Sequence, residues 1–133
     1  MSKDSIPSLD LYIKAVSEKK AQNLVVLDVR GLTSIADAFI ICSGRSNRQV
    51  NAIADAAIVS LKKHKVKPLS VEGTSEGHWV LLDYDHVIIH VFYEPIRKFF
   101  DLEGLWADAK RIMTPAMRKL KSESESPKQM VDG

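Results

Sequence analysis

Three groups of residues in this 133-residue chain have types and spacing that chemistry could use. They are the histidines His86 and His90, the aspartates of Asp83-Tyr84-Asp85, and the single cysteine, Cys42. On a helix the two histidines would form a metal pair. On a strand, four residues separate them by roughly 13 Å along one face. Two nitrogens that must each lie about 2 Å from one zinc ion cannot meet that spacing. His78 could approach His90 across a hairpin, but no third ligand accompanies them. No metal and no cofactor are expected.

Cys42 sits in the apolar run Phe39-Ile40-Ile41 with no basic neighbour, where a thiol behaves as a small hydrophobe. Asp83 and Asp85 have the spacing that holds magnesium in a nucleotidyltransferase, and Ser43-Gly44 ahead of a helix hints at a phosphate-binding turn. One glycine makes no phosphate cradle, however, and aspartates flanking a turn are ordinary turn chemistry. The Walker and dinucleotide-binding patterns are absent. The residues favour a binding module over an enzyme.

These groups must be positioned by short α and β elements. Ser8 reads as the cap of a first helix carrying Leu9, Tyr12, Ile13 and Val16 on one face. Leu24 to Val29 and Ala38 to Ser43 are short, apolar and rich in branched residues, as strands buried on both faces are. Ser46 and Gln49 fit a capping box, followed by a helical face of Val50, Ile53, Ala54, Ala57, Ile58 and Leu61. After Pro68 comes a short strand, Leu69 to Glu72, completing a strand-helix-strand crossover. Trp79 to Tyr84 and Val87 to Tyr93 form a hairpin around Asp85-His86, and Pro95 is read as ending the sheet. Leu102, Leu105, Trp106, Ala109 and Ile112 predict a last helix limited by Pro115.

The fold class expected is α/β (α+β), a single domain with a mixed, roughly five-stranded sheet flanked by helices. Residues 1–7 are expected to be a flexible start, 8–113 the domain, and 114–133 a polar, disordered tail. Hydrophobic residues make up 45% and charged residues 27%, the balance of an ordinary globular protein. The net charge of +2 is too mild to indicate nucleic-acid binding by itself. Basic clusters run from Lys62 to Lys67 and from Lys110 to Lys121, without interleaved aromatics. No apolar run is long enough to span a membrane, the first residues lack a signal-peptide core, and one cysteine builds no disulfide framework. The expected location is the cytoplasm.

Several word-like stretches add what periodicity lacks. They are Leu27-Asp28-Val29-Arg30-Gly31-Leu32, Ser34 to Gly44, Ser46-Asn47-Arg48-Gln49-Val50, Val71-Glu72-Gly73, Trp79 to Tyr84, Val87 to Phe92 and Phe100 to Trp106. In this order, over Leu9 to Ile112, they closely resemble the bacterial ribosomal silencing factors of the iojap family. The resemblance implies a nucleotidyltransferase-like fold without the catalytic signature. It also implies binding to the large ribosomal subunit through its fourteenth protein, which blocks joining of the small subunit and lowers translation when nutrients are scarce. Large-subunit assembly is the alternative role, and a metal-dependent nucleotidyltransferase using Asp83 and Asp85 the less favoured one. Contact with ribosomal RNA and a homodimer, through Phe99-Phe100, are further expectations.

The working surface is expected on the hairpin from Glu76 to Tyr84. Trp79 interrupts an aliphatic strand with a large ring, and such rings serve either as core or as interface anchors. Glu72, Glu76, Asp83 and Asp85 surround it with negative charge that would suit a basic ribosomal protein. Trp79 and Tyr84 are therefore the expected anchors, with Glu76 and Asp83 pairing to lysine or arginine.

Overall fold

The computed structural model describes residues 6–120. In chain order the elements are α1 (Leu9–Val16), β1 (Gln22–Asp28), β2 (Ala38–Gly44), α2 (Asn47–Lys63), β3 (Ser70–Glu72), β4 (Trp79–Asp83), β5 (Val87–Tyr93), α3 (Glu94–Phe100), α4 (Leu102–Leu105) and β6 (Lys110–Arg111). The strands form one six-stranded sheet in the order β3-β4-β5-β2-β1-β6. Among the described strands, β2 and β5 pair in parallel and the other neighbours are antiparallel. The mixed α/β class therefore stands, with one strand more than expected.

Alternation along the strands divides the core in two. Val26, Ala38, Ile40, Cys42, Val80, Leu82, Val87, Ile89 and Val91 pack under α1 and α2. Leu27, Phe39, Ile41, Ile88 and Phe92 point to the other face, which α3 and α4 cover in part. Full burial pushes the Cys42 thiol up to about 12, so this sulfur is a core atom. The crossover expected after β2 also forms. β3 runs in the same direction as β2, with β4 and β5 inserted between them.

The two helix starts read from the sequence differ in chemistry. Ser46 Oγ accepts from Gln49 N at 3.1 Å, while Gln49 Oε1 reaches one residue further back and accepts from Arg45 N at 2.6 Å. Ser8 does precede α1, but it is left-handed, with φ of 63°, and its hydroxyl caps nothing.

The C-terminal half departs from expectation because its prolines start helices. A proline in the first turn lacks only an N–H that would be unpaired anyway, and its φ suits the helix. Pro95 opens α3 in this way. Pro115 opens a helical segment over 115–120, where Thr114 Oγ1 accepts from Met117 N at 3.3 Å. Ala116 and Met117 are buried in the α1–α2 core, and so is Ile6. The domain thus extends beyond 8–113 at both ends; residues 1–5 and 121–133 of the expected flexible ends lie outside the described residues.

The single helix expected over Leu102 to Ile112 is instead the four-residue α4, a turn, and β6. Asp101, left-handed at φ of 47°, closes α3, and its carboxylate accepts from Gly104 N at 3.1 Å. Beyond the turn, Lys110 and Arg111 pair with Asp28 and Leu27. Strand pairing satisfies backbone groups that an open β1 edge would leave exposed, and it outweighs the helical periodicity.

Candidate interaction surface

The sheet face opposite α1 and α2 is built from aligned rungs. One rung places Glu72, Leu81, His90, Ile41 and Val25 side by side across β3, β4, β5, β2 and β1. The next places Ser70, Asp83, Ile88, Phe39 and Leu27 in line, and a third sets Trp79 beside Phe92 and Ser43. The rings of Trp79 and Phe92 stack at 4.8 Å, and Phe100 from α3 lies 5.2 Å from Trp79. Phe99 packs edge-on against Phe100 at 5.2 Å. An aromatic ladder therefore climbs from the sheet to the surface, where Phe99 is 79% and Phe100 52% exposed.

Beneath Trp79 lies His90, which is buried. Trp79 Nε1 donates to His90 Nδ1 at 3.1 Å, so the ring proton of the neutral imidazole sits on Nε2. Burial among Phe39, Trp79 and Phe92 lowers the His90 pKa to about 4. His86 does not share its face: it precedes β5 and packs against Tyr12 of α1 at 5.6 Å. The register sets His78 beside Tyr93, whose N–H donates to the His78 carbonyl at 2.8 Å, and not beside His90. Among the described residues no three His, Cys, Asp or Glu side chains gather closely enough to hold a metal ion.

Two glycines shape the loop leading into Trp79. Gly73, at φ of +86°, has the Trp79 carbonyl where a Cβ would stand, and Gly77, at φ of +68°, lies against Asn47 of α2. Side chains larger than hydrogen fit neither place. The loop closes through Gly77 N donating to the Gly73 carbonyl at 3.1 Å, leaving Glu76 in solvent.

Of the five residues expected to form the surface, three lie on this face of the sheet. Glu72, Trp79 and Asp83 share the open face, while Glu76 is exposed in the loop before β4, next to the Gly77 that packs against α2. Tyr84 does not belong there. It is 5% exposed and turned to the opposite face, with its ring 5.3 Å from Tyr12. Trp79 and Tyr84 stand five positions apart, an odd offset, and strand alternation sends the two to opposite sides. Burial pushes the Tyr84 hydroxyl up to about 12, as expected of a core phenol. The same alternation identifies Leu81, half-buried between Glu72 and His90, as the surface residue that sequence reasoning missed.

Asp83 Oδ1 accepts from the backbone N of Asp85 at 2.8 Å, a bond that belongs to the turn. Ser43 and Gly44, read from the sequence as a phosphate-binding turn, are the last residues of β2, and the Ser43 hydroxyl is engaged. Arg97 of α3 donates to Ser43 Oγ at 2.7 Å and grips Glu103 through Nε at 2.9 Å and Nη2 at 3.1 Å. Arg97 thereby fastens α3 and α4 to β2, and its hydrogen bonds hold the Glu103 carboxyl below the usual range.

The family model described as "Ribosomal silencing factor during starvation" matches residues 2–132. The chain belongs to the ribosomal silencing factor family. A ribosomal silencing factor from Halalkalibacterium halodurans is 40% identical over 101 residues, which cover 76% of this chain and 86% of that protein. The Bacillus subtilis factor is 37% identical with the same coverage. The chloroplast protein Iojap of Zea mays is 33% identical over 77% of this chain but only 44% of its own length. Among solved structures, a Chromobacterium violaceum protein at 38% identity superposes with a TM-score of 0.71, covering 73% of this chain and 81% of that one. The resemblance read from the sequence words is thus established, and with it the silencing-factor fold. Among the described residues no helix is long and apolar enough to cross a membrane.

Proposed function

We propose that this silencing factor works in the cytoplasm by binding rather than by catalysis. It docks on the fourteenth protein of the large ribosomal subunit and sterically blocks joining of the small subunit. The observation that carries this reading is the half-buried Trp79, stacked on Phe92 and met by the exposed Phe100 of α3, with Leu81 and the acidic Glu72 and Asp83 on the same face. An aromatic centre with an acidic rim suits a basic ribosomal protein, the ring supplying buried area and the carboxylates steering the encounter. Tyr84 has no part in it.

Purified subunits mixed with the protein and followed by light scattering or gradient sedimentation test the proposal. Wild type should hold large subunits apart from small ones, and Trp79→Ala should need at least about tenfold more protein for the same block, some 1.4 kcal/mol or more. Equal potency of a folded Trp79→Ala variant would move the interface elsewhere. The exposed Phe99 also supports a homodimer. A monomer mass by light scattering at micromolar concentration would remove that part.

A further inference from the structure

We infer that His90 is the positioning residue of the docking surface: its Nδ1 holds the Trp79 indole with the N–H inward and a carbon edge outward. The inference rests on the proposed docking and names what Trp79 presents to the partner. Trp79 is half-buried at the start of β4 and pairs with Phe92 of β5, so His90 lies on the same face at the diagonal position. Aromatic side chains reach one another across that diagonal. There Trp79 Nε1 meets His90 Nδ1 at 3.1 Å.

The imidazole is a fixed support. It belongs to β5, a central strand, and stands between Leu81 of β4 and Ile41 of β2. Phe39 meets its ring edge-on at 5.1 Å, and Phe92 lies parallel to it at 6.3 Å. Burial among these uncharged rings keeps the imidazole neutral at pH 7, so the Nδ1 lone pair is free to accept. The other nitrogen, Nε2, has no hydrogen-bond partner. Among the described residues, the imidazole's hydrogen bonding is therefore directed wholly at Trp79.

The other contacts of Trp79 do not select an orientation. Stacking on Phe92 at 4.8 Å sets the plane of the indole but is satisfied by either of its faces, and Phe100 is itself exposed. The hydrogen bond is directional and chooses one. It turns the only polar atom of the ring inward, so the part open to the partner is carbon. An aliphatic side chain, or the apolar stem of a lysine or arginine, suits that edge; a group seeking a hydrogen-bond donor does not. A ring held before the encounter also spares docking the entropy of ordering it.

The test is a double-mutant cycle on the full chain, read as the concentration that holds purified large subunits apart from small ones. His90→Leu, which fills the site without an acceptor, should need about three- to tenfold more protein, the loss expected when a large side chain must be ordered on binding. In a Trp79→Phe background there is no N–H to hold, and His90→Leu should cost nothing further. A merely structural role would cost the same in both backgrounds. His90→Met carries the same cycle where His90→Leu does not fold. In parallel, 15N-labelled protein gives two indole N–H signals, from Trp79 and Trp106, and Trp79→Phe identifies the first. His90→Leu should shift that signal and speed its exchange with solvent. If Trp79→Ala loses the block while folded His90→Leu keeps wild-type potency, the inference is overturned and the docking stands. Equal losses in the two backgrounds, or a Trp79 signal that stays protected, also overturn it. Should Trp79→Ala block joining as well as wild type, the docking reading falls and takes the inference with it.

Discussion

Trp79 Nε1 donates to the buried Nδ1 of His90 at 3.1 Å, and this bond fixes the most exposed ring of the sheet face to its most buried imidazole. The pair has a consequence for acid stability. His90 titrates near 4 in the folded chain and near its ordinary 6.5 when unfolded. Between these values the unfolded chain binds the extra proton, so stability falls as the pH drops from about 6.5 to about 4. The shift corresponds to roughly 3–4 kcal/mol at most. Denaturant titrations of wild type and His90→Leu at several pH values check this. The variant should lose less stability than wild type across that window.

Tyr84 and Trp79 belong to one hairpin but to opposite faces, which separates stability from binding. The Tyr84 hydroxyl oxygen is buried without a hydrogen-bond partner. A buried polar group with no partner costs free energy, so Tyr84→Phe should leave stability within about 0.5 kcal/mol or raise it. It should also leave the block of subunit joining unchanged. Loss of the block in a folded Tyr84→Phe variant would return this residue to the interface.

Arg97 is the strut beneath the aromatic ladder. Its guanidinium is 7% exposed and joins Ser43 on β2 to Glu103 on α4. Truncating one partner of such a pair leaves the other charge poorly solvated, so Arg97→Ala should cost about 3 kcal/mol. Replacing both partners, Arg97→Met with Glu103→Leu, should recover much of that loss. Because Glu103 is held below its ordinary value, its share of the stability is present above about pH 4.5 and is lost as the pH falls further. Thermal melts of the two variants at pH 7 and near pH 4 measure both effects.

The N-terminal half was readable because local and tertiary signals agree there. The face Val50, Ile53, Ala54, Ala57 and Leu61 is both the periodic stripe of α2 and its buried surface. The hairpin Trp79–Asp83 with Val87–Tyr93 likewise follows from alternation and an intervening turn. Beyond Tyr93 the signals conflict. Pro95 and Pro115 look like stops in one dimension, and only the geometry of the first helical turn shows them to be starts. Lys110 and Arg111 carry no strand signal, because what makes them a strand is the unpaired edge of β1 more than eighty residues earlier. The candidate surface was located through Trp79 and its acidic neighbours. Its face was misread at Tyr84 because the period of two was not carried through the strand. Leu81 and the contact between Phe100 and Trp79 join it in three dimensions, and only the first could have been counted along the chain.

The helical segment over 115–120 gives the last test, because it sets the boundary of the folded unit. Ala116 and Met117 are 7% and 8% exposed, and they pack in the cluster that holds Tyr12 and Ile13 of α1. Burying a methionine side chain contributes about 1.5–3 kcal/mol, and the Thr114 cap about 1 kcal/mol. Ending the chain after Met113 should therefore lower stability by several kcal/mol, whereas ending it after Leu120 keeps both the cap and the contacts. Thr114→Ala alone should cost about 1 kcal/mol and Met117→Ala about 2–3 kcal/mol. Urea titrations of the two truncations and the two point variants distinguish an integral helix from a dispensable tail. Equal midpoints for the two truncations would show that the domain ends at residue 113 after all.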